Sequence, residues 1–295
     1  GKPYAWGTWG SPAAKAKLGG DNKLSVSAIS LSETLNYAIT DWLTANVNVG
    51  YNTSTATRNT TTKSIEYYNY VGDKRVLVEP TQANSSYKQT SSRTDFYSVA
   101  GYLAANKSFQ KHKLGLTLGA QYEFKEYTYF GVNVKDAQDG LEIVNGSGEV
   151  TLSGDEDKYQ YANLSYFGRF NYDYDGRYLL EMNGRYDGSS KFMPENRWNF
   201  FYGVSLGWRI KQEAFLADVD WLHDLKLRAS YAEVGNQSGI GNYDGVQLYE
   251  LKSAGSDGAY VGSDKLSYIK TNGTMASTTR TWERIKNYNV GIDFA

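Results

Sequence analysis

The chain has no cysteine, 4 prolines and 2 histidines among 295 residues. Without cysteine, disulfides and thiolate sites are excluded. The two histidines, His112 and His223, are too isolated to form a metal pair. No apolar run approaches the roughly 18 residues that a membrane-crossing helix needs, so that class is excluded as well. Neither sign of charge dominates: 31 basic residues oppose 32 acidic ones, for a net charge of −1. No basic stripe argues for nucleic acid. A Ser-His-Asp triad would have to use a turn histidine with no nucleophile elbow beside it, so catalysis finds no support. Gly1-Lys2-Pro3-Tyr4 has neither the charged nor the apolar region of a signal peptide.

What the chain does have is tyrosine, glycine and a period of two. There are 26 tyrosines, 7 tryptophans, 11 phenylalanines and 30 glycines. Mean hydropathy is −0.57, yet aromatics make up 15% of residues. Leu114, Leu116, Leu118, Ala120, Tyr122 and Phe124 alternate with Gly115, Thr117, Gly119, Gln121 and Glu123. The same alternation recurs in residues 43–51, 178–187, 202–210, 225–231 and 288–294. Such a period marks strands with one apolar and one polar face. Their length suits a tilted bilayer crossing of roughly 9–11 residues better than a soluble strand of about 5–6. A water-filled barrel in lipid needs apolar residues outward and polar ones inward. The alternative is a large soluble antiparallel sheet with one wet face.

Connections alternate between short and long. Asp41-Trp42, the stretch around Asn106 to Lys113, and Asp173 to Arg177 read as tight turns, and Glu213 to Val219 as a helical turn at the interface. Residues 52–93, 125–158 and 234–281 read as long extracellular loops, with residues 1–30 a loop and leading strand. A hairpin from Tyr67 to Val78, turning at Gly72-Asp73, is expected inside the first of these loops. Short periplasmic turns with long outer loops are the rhythm of an outer-membrane barrel. About nine spanning strands follow. An odd number leaves both edges unpaired, which hydrocarbon does not tolerate, so the chain is expected to be a portion of a larger barrel.

A run of motifs makes the reading more specific. Arg185-Tyr186-Asp187-Gly188-Ser189-Ser190-Lys191-Phe192 is followed by Asn196-Arg197-Trp198 and Gly203 to Ile210. Leu225 to Tyr231, Gly235-Asn236-Gln237, Ile240-Gly241-Asn242-Tyr243, Thr281-Trp282-Glu283 and Asn289 to Phe294 follow in order. This series resembles the SusC/RagA family of TonB-dependent outer-membrane transporters, closely from about Tyr159 onward and more loosely from Leu31 to Phe124. Ala5-Trp6-Gly7-Thr8-Trp9-Gly10 points toward the starch-system branch. Ala232 and Val234 stand where the family pattern has Gly and Thr. The resemblance implies an all-β, 22-stranded antiparallel transmembrane barrel closed by a plug and capped by a SusD-like surface lipoprotein. It also implies location in the bacterial outer membrane and energy delivered through TonB. Cargo would be oligosaccharide, starch or malto-oligosaccharide first, with peptide as the RagA-type alternative. Neither a plug nor a TonB box is found in these residues. A surface protein that binds glycan without translocating it is the competing class, and a passive porin is disfavoured by the motifs.

Candidate residues follow from position. Trp6, Trp9, Tyr67, Tyr68 and Tyr70 fall in the expected loops or the chain start, where aromatic faces can pack on sugar rings. Arg185, Asp187, Lys191, Asn196 and Arg197 lie at an outer strand end. They either touch plug, lid or cargo as a charged rim, or fix the loop as a local network, the favoured reading. Gly188, Gly235 and Asn236 read as turn formers. Trp198, Trp208, Trp221 and Trp282 are most simply assigned to membrane-interface belts. Asn46, Asn48, Gln121, Asn183 and Arg185 would line the lumen. Asp136 to Asp139 and Asp155 to Asp157 lack the ligand ladder of a recognised Ca2+ loop and read as solvated charge; no other cofactor is indicated.

Overall fold

The computed structural model describes residues 12–65, 67–71, 74–78, 85–137, 150–152, 157–216, 219–247, 249–252, 259–261, 264–266, 268–271 and 275–295. In chain order the elements are α1 (Pro12–Leu18), β1 (Gly20–Thr40), β2 (Leu43–Thr62), β3 (Tyr67–Val71), β4 (Lys74–Val78), β5 (Ser86–Phe109) and β6 (His112–Lys135). Then come β7 (Val150–Leu152), β8 (Asp157–Tyr174), β9 (Tyr178–Ser189), β10 (Trp198–Arg209) and β11 (Leu225–Asn236). Four short strands, β12 (Tyr249–Lys252), β13 (Ala259–Val261), β14 (Asp264–Leu266) and β15 (Tyr268–Thr271), precede β16 (Glu283–Phe294). One sheet runs in the order β1-β2-β5-β6-β8-β9-β10-β11-β16, with β7 added to β6. Its nine long strands match the expected number, and the alternating stretches fall in six of them, β2, β6, β9, β10, β11 and β16. Contacts divide the chain into two units: Gly1–Leu31, Tyr51–Phe96 and Lys125–Gln160 form one, and Ser32–Gly50, Tyr97–Phe124 and Tyr161–Ala295 the other.

In the second unit large apolar members of the alternation are exposed. Leu116 is 43%, Leu206 55% and Val290 82% accessible. A soluble sheet would bury this face; here no described part of the chain covers it. Register carries the face from strand to strand. Phe170 lies opposite Met182, Met182 opposite Val204, Leu206 opposite Leu180 and Ala229, and Ala229 opposite Val290. Aromatic rings border this band at both ends. Trp198 stacks on Tyr186 (5.0 Å between centroids) and Tyr166 (6.1 Å) at one end. Tyr178 stacks on Tyr174 (6.3 Å) and Trp208 (6.4 Å) at the other. Ten residues separate Trp198 from Trp208, about 33 Å of strand at roughly 3.3 Å per residue. Tilted by about 40°, that projects to roughly 25 Å, the height of the apolar band on an outer-membrane barrel.

The first unit carries the surprise. The stretches 52–93 and 125–158, expected to be loops, are β-strand at both ends: β2 runs on to Thr62, β5 starts at Ser86, β6 continues to Lys135 and β8 starts at Asp157. Alternation of apolar and polar residues does not mark these extensions, as the polar run Asn52 to Thr62 shows. Their β-branched content does favour strand, with Thr53, Thr55, Thr57 and Thr60 to Thr62 in β2. Likewise 234–281 opens with the end of β11 and contains β12 to β15, while 1–30 holds α1 and the start of β1. The expected hairpin forms, β3 pairing β4 from Tyr67 opposite Val78 to Val71 opposite Lys74; its turn at Gly72-Asp73 lies outside the described residues. Small cores hold the unit: Ala14 with Ile65, and Tyr87 with Val134 and Ala137. Tyr127 stacks on Tyr159 at 4.8 Å.

Short turns close the other end of the second unit. Asp175 and Gly176 take left-handed φ values of 54° and 70°, which Asp tolerates and Gly adopts freely. The Asp173 carboxylate accepts the Gly176 amide at 2.7 Å. Asp175 sits 3.0 Å from Lys111 and 3.1 Å from Arg177. The hydrogen bond from Lys111 holds the Asp175 carboxyl below its ordinary range. After β10, two 3-10 turns carry Glu213, whose carboxyl is lowered chiefly by the Tyr178 phenol and then by the Trp208 indole.

Two outcomes follow from this geometry. In the full-length protein in vesicles, Val204→Arg on the apolar face should cost about 2–4 kcal/mol in a denaturant titration, as a cation near the bilayer midplane does. Ser205→Arg, one residue along on the polar face, should leave the midpoint largely unchanged. Because Asp175 and Glu213 have depressed values in the folded state, their stabilising contribution is complete above the ordinary carboxylate range and is lost as pH falls through the lowered values. The thermal midpoint of the protein should therefore keep their contribution from neutral pH down to about 5 and lose it only below about 4, and Asp175→Asn with Glu213→Gln should flatten that acid loss.

Candidate functional site

The strand-end motif builds a single locus from three distant stretches of chain. At the end of β9, Ser189 is fully buried and its hydroxyl donates to Gln237 Oε1 at 2.7 Å. Ser190 ties to β8 twice: its amide donates to the Ala162 carbonyl and its hydroxyl accepts the Ala162 amide, both at 2.9 Å. Lys191 Nζ donates to the Ile240 carbonyl at 3.2 Å and lies 5.0 Å above the Tyr161 ring. Phe192 is buried against Phe201 and Trp282, with Ile240 packed beside them. The Trp282 indole donates to the Arg197 carbonyl at 2.9 Å, and Asn196 Nδ2 donates to the Thr278 carbonyl at 2.9 Å. Residues 185–198, 235–240 and 278–284 thus close one cluster around three aromatic rings.

Gly188 is a strand residue, not the turn former its composition suggests. Trp198 lies directly opposite it, and a Cβ at Gly188 would stand 2.7 Å from that indole. Glycine is required here so that the ring can lie flat across the strand.

Arg185 is the hub of the polar side. Its Nε donates to Asp187 at 2.6 Å, and one Nη donates to Ser165 Oγ at 2.9 Å and to Gln121 Oε1 at 3.4 Å. Gln121 donates onward to Glu123 at 2.8 Å, and Asn163 donates to the second Glu123 oxygen at 3.3 Å. Nearby, Arg284 pairs with Glu233 at 2.6 Å and stacks over Phe201 at 5.5 Å. Between these groups lies a recess of about 460 Å³ lined by Asn183, Arg185, Asp187, Glu233, Phe201 and Trp282, among others. The recess offers amides, carboxylates and ring edges, which suit hydrogen bonding to a polar oligomer. Among the described residues no group of three or more His, Asp or Glu is arranged to hold a metal ion.

Arg185, Asp187, Lys191, Asn196 and Arg197 are therefore brought together, with the first four engaged by partners in the chain. Tyr68 is half-buried in the β3–β4 hairpin. Trp6 and Trp9, and the side chains of Tyr67 and Tyr70, lie outside the described residues. Of the four tryptophans assigned to belts, Trp198 and Trp208 border the apolar band, Trp221 sits in the connector after β10, and Trp282 is buried in the aromatic cluster. Phe201 is not singled out by its sequence. The available signal is its place on the polar side of an alternating strand, where a phenylalanine has to pack on something other than lipid. Of the remaining candidates, Asp139, Asp155 and Glu156 lie outside the described residues. His112 Nδ1 is 2.8 Å from the Tyr172 hydroxyl, within a stack of rings.

Residues 2–295 match the family described as TonB dependent receptor-like, beta-barrel. The TonB-dependent receptor SusC of Bacteroides thetaiotaomicron is 39% identical over 132 residues, 44% of this chain and 13% of that protein. The TonB-dependent receptor P3 of Formosa agariphila is 30% identical over 197 residues, 66% of this chain and 19% of that protein. Among solved structures, the RagAB peptide importer in its closed-closed state aligns with a TM-score of 0.79 at 22% identity, over 97% of this chain and 30% of the importer chain. This chain thus spans less than a fifth of the curated relatives and about a third of the solved one, and the likeness to the importer is one of fold. With the family match spanning nearly every residue, the chain belongs to the TonB dependent receptor-like β-barrels of the outer membrane, and it is similar there to SusC.

Proposed function

We propose that this chain is part of the wall of a TonB-energised outer-membrane importer whose whole barrel has 22 strands, a plug and a SusD-like lipoprotein lid, and whose cargo is peptide. One observation carries the wall assignment: an exposed apolar face, about one hydrocarbon thickness high, bordered by stacked aromatic rings. Short turns then face the periplasm, and the opposite strand ends face outward. The strand-end cluster holds the wall's rim in shape. The loop aromatics Trp6, Trp9, Tyr67, Tyr68 and Tyr70 are the cargo contacts in this reading, beyond a lumen lined by Asn46, Gln121, Asn183 and Arg185.

Support for peptide comes from the fold shared with RagAB, a peptide importer. The oligosaccharide reading rests on the resemblance of the motifs to the starch-system branch. Both cargoes are polar oligomers that amide and carboxylate groups can hydrogen-bond, so the wall alone serves either.

Uptake decides the matter. Cells carrying the full-length protein should accumulate labelled oligopeptide, and deleting TonB should abolish that accumulation. TonB-dependent uptake of labelled malto-oligosaccharide instead would replace the cargo assignment, and undiminished uptake without TonB would remove energised import. Arg185→Met should lower the protein's thermal stability while leaving the apparent KM of the folded fraction unchanged, as expected of a group spent on Asp187 and Ser165.

A further inference from the structure

The connector from Ile210 to Asp224 does not hang free of the sheet. Two short 3-10 turns, Ile210–Gln212 and Ala214–Leu216, begin it. Between them Glu213 accepts the Tyr178 hydroxyl at 2.7 Å and the Trp208 indole at 3.0 Å. Both donors belong to the aromatic belt on the apolar side. At its far end the Trp221 ring lies 6.4 Å from that of Phe294, which continues the exposed row Tyr288, Val290 and Ile292 on β16. Lys211 folds the segment on itself, donating to the carbonyls of Leu216 at 2.9 Å and Val219 at 2.8 Å. Leu222 is buried beneath it.

Two large side chains of the connector remain mostly exposed all the same. Phe215 is 68% and Trp221 72% accessible. Two rings so exposed would be costly in water, yet the connector is anchored at both ends to groups on the lipid side. Their surroundings are continuous with the belt, where amphipathic rings gather at the boundary of hydrocarbon and headgroups.

We propose that this connector is an interfacial foot: Phe215 and Trp221 bind the phospholipid leaflet at the turn end of the barrel, and Glu213 is the positioning residue that holds the foot at belt depth. The inference rests on the reading of the chain as a membrane wall. Lipid, and not a water-soluble partner protein, is the occupant, because the foot extends a surface that lipid already covers. The carboxylate of Glu213 is neutralised in place by hydrogen bonds and by Arg177 at 3.4 Å, which allows it to sit beside the belt.

Spin labelling tests this in the full-length protein, in vesicles of phosphatidylethanolamine with a minority of phosphatidylglycerol. Single labels are introduced through Phe215→Cys, Trp221→Cys, Leu206→Cys and Asp41→Cys, and accessibility to oxygen is compared with that to a nickel chelate. The oxygen-to-nickel ratio at 215 and 221 should lie several-fold above that at the Asp41 turn and below that at Leu206. Glu213→Ala should bring both foot positions down to the turn value, while Glu213→Gln, which keeps an acceptor, should preserve them. Ratios at 215 and 221 equal to the turn value, with Leu206 still in hydrocarbon, overturn the foot alone. A water-like ratio at Leu206 overturns the wall reading beneath it. An unchanged ratio in Glu213→Ala overturns the positioning role.

Discussion

Hydrocarbon offers no partner for a peptide N–H or C=O, and the structure is arranged around that constraint. Every backbone group at membrane depth has to be paired within the protein, so the only open choice is which side chains face lipid. A period of two makes the choice for each strand, and antiparallel register carries it sideways from Phe170 to Met182, Val204, Tyr231 and Tyr288. The apolar residues end up exposed, and the polar residues form the side that needs organising. Arg185, Gln121, Glu123 and Asn163 organise it by bonding to one another across neighbouring strands.

The same constraint accounts for the contrast between the two ends of the band. At the turn end the chain must reverse within a few residues, and it does so with local devices: left-handed Asp175 and Gly176, the Asp173 cap, and ion pairs to Lys111 and Arg177. At the other end β9 and β10 stop near the aromatic belt. There the stretch between them is held by long-range partners, Ile240, Thr278 and Trp282, taken from segments roughly 50 to 85 positions away. The motif pieces within 185–198, 235–240 and 278–284 are thus sides of a single packed cluster, although they are scattered along the chain.

Legibility in the sequence follows the solvent. Where one face meets lipid and the other meets polar groups, alternation names the strand and its face, as for Leu114 to Phe124 and Tyr202 to Ile210. Where both faces are polar the pattern disappears, and Asn52 to Thr62 looks like a polar loop although it continues β2. Tryptophan is ambiguous for a related reason. Trp198 and Trp282 both sit beside strand ends, yet one stacks on tyrosines at the lipid boundary and the other is buried between Phe192 and Phe201. Composition does not separate them; the partners do, and those partners are distant in sequence. The site residues Arg185, Asp187 and Lys191 are legible as a group, whereas Gly188 reads as a turn former because its real requirement, the indole of Trp198, comes from the next strand.

On the proposed reading, a transporter wall has to remain fixed while cargo and plug move past it, and the bonding at the strand end suits that duty. A guanidinium already donating to Asp187, Ser165 and Gln121 has little left to offer a passing ligand, and to bind one strongly it would have to break bonds that shape the rim. Rigidity and cargo recognition therefore compete for the same donors. At the strand end the chain resolves the competition in favour of rigidity, with donors and acceptors bonded to one another. On the proposed reading, selectivity then belongs to groups outside this saturated network.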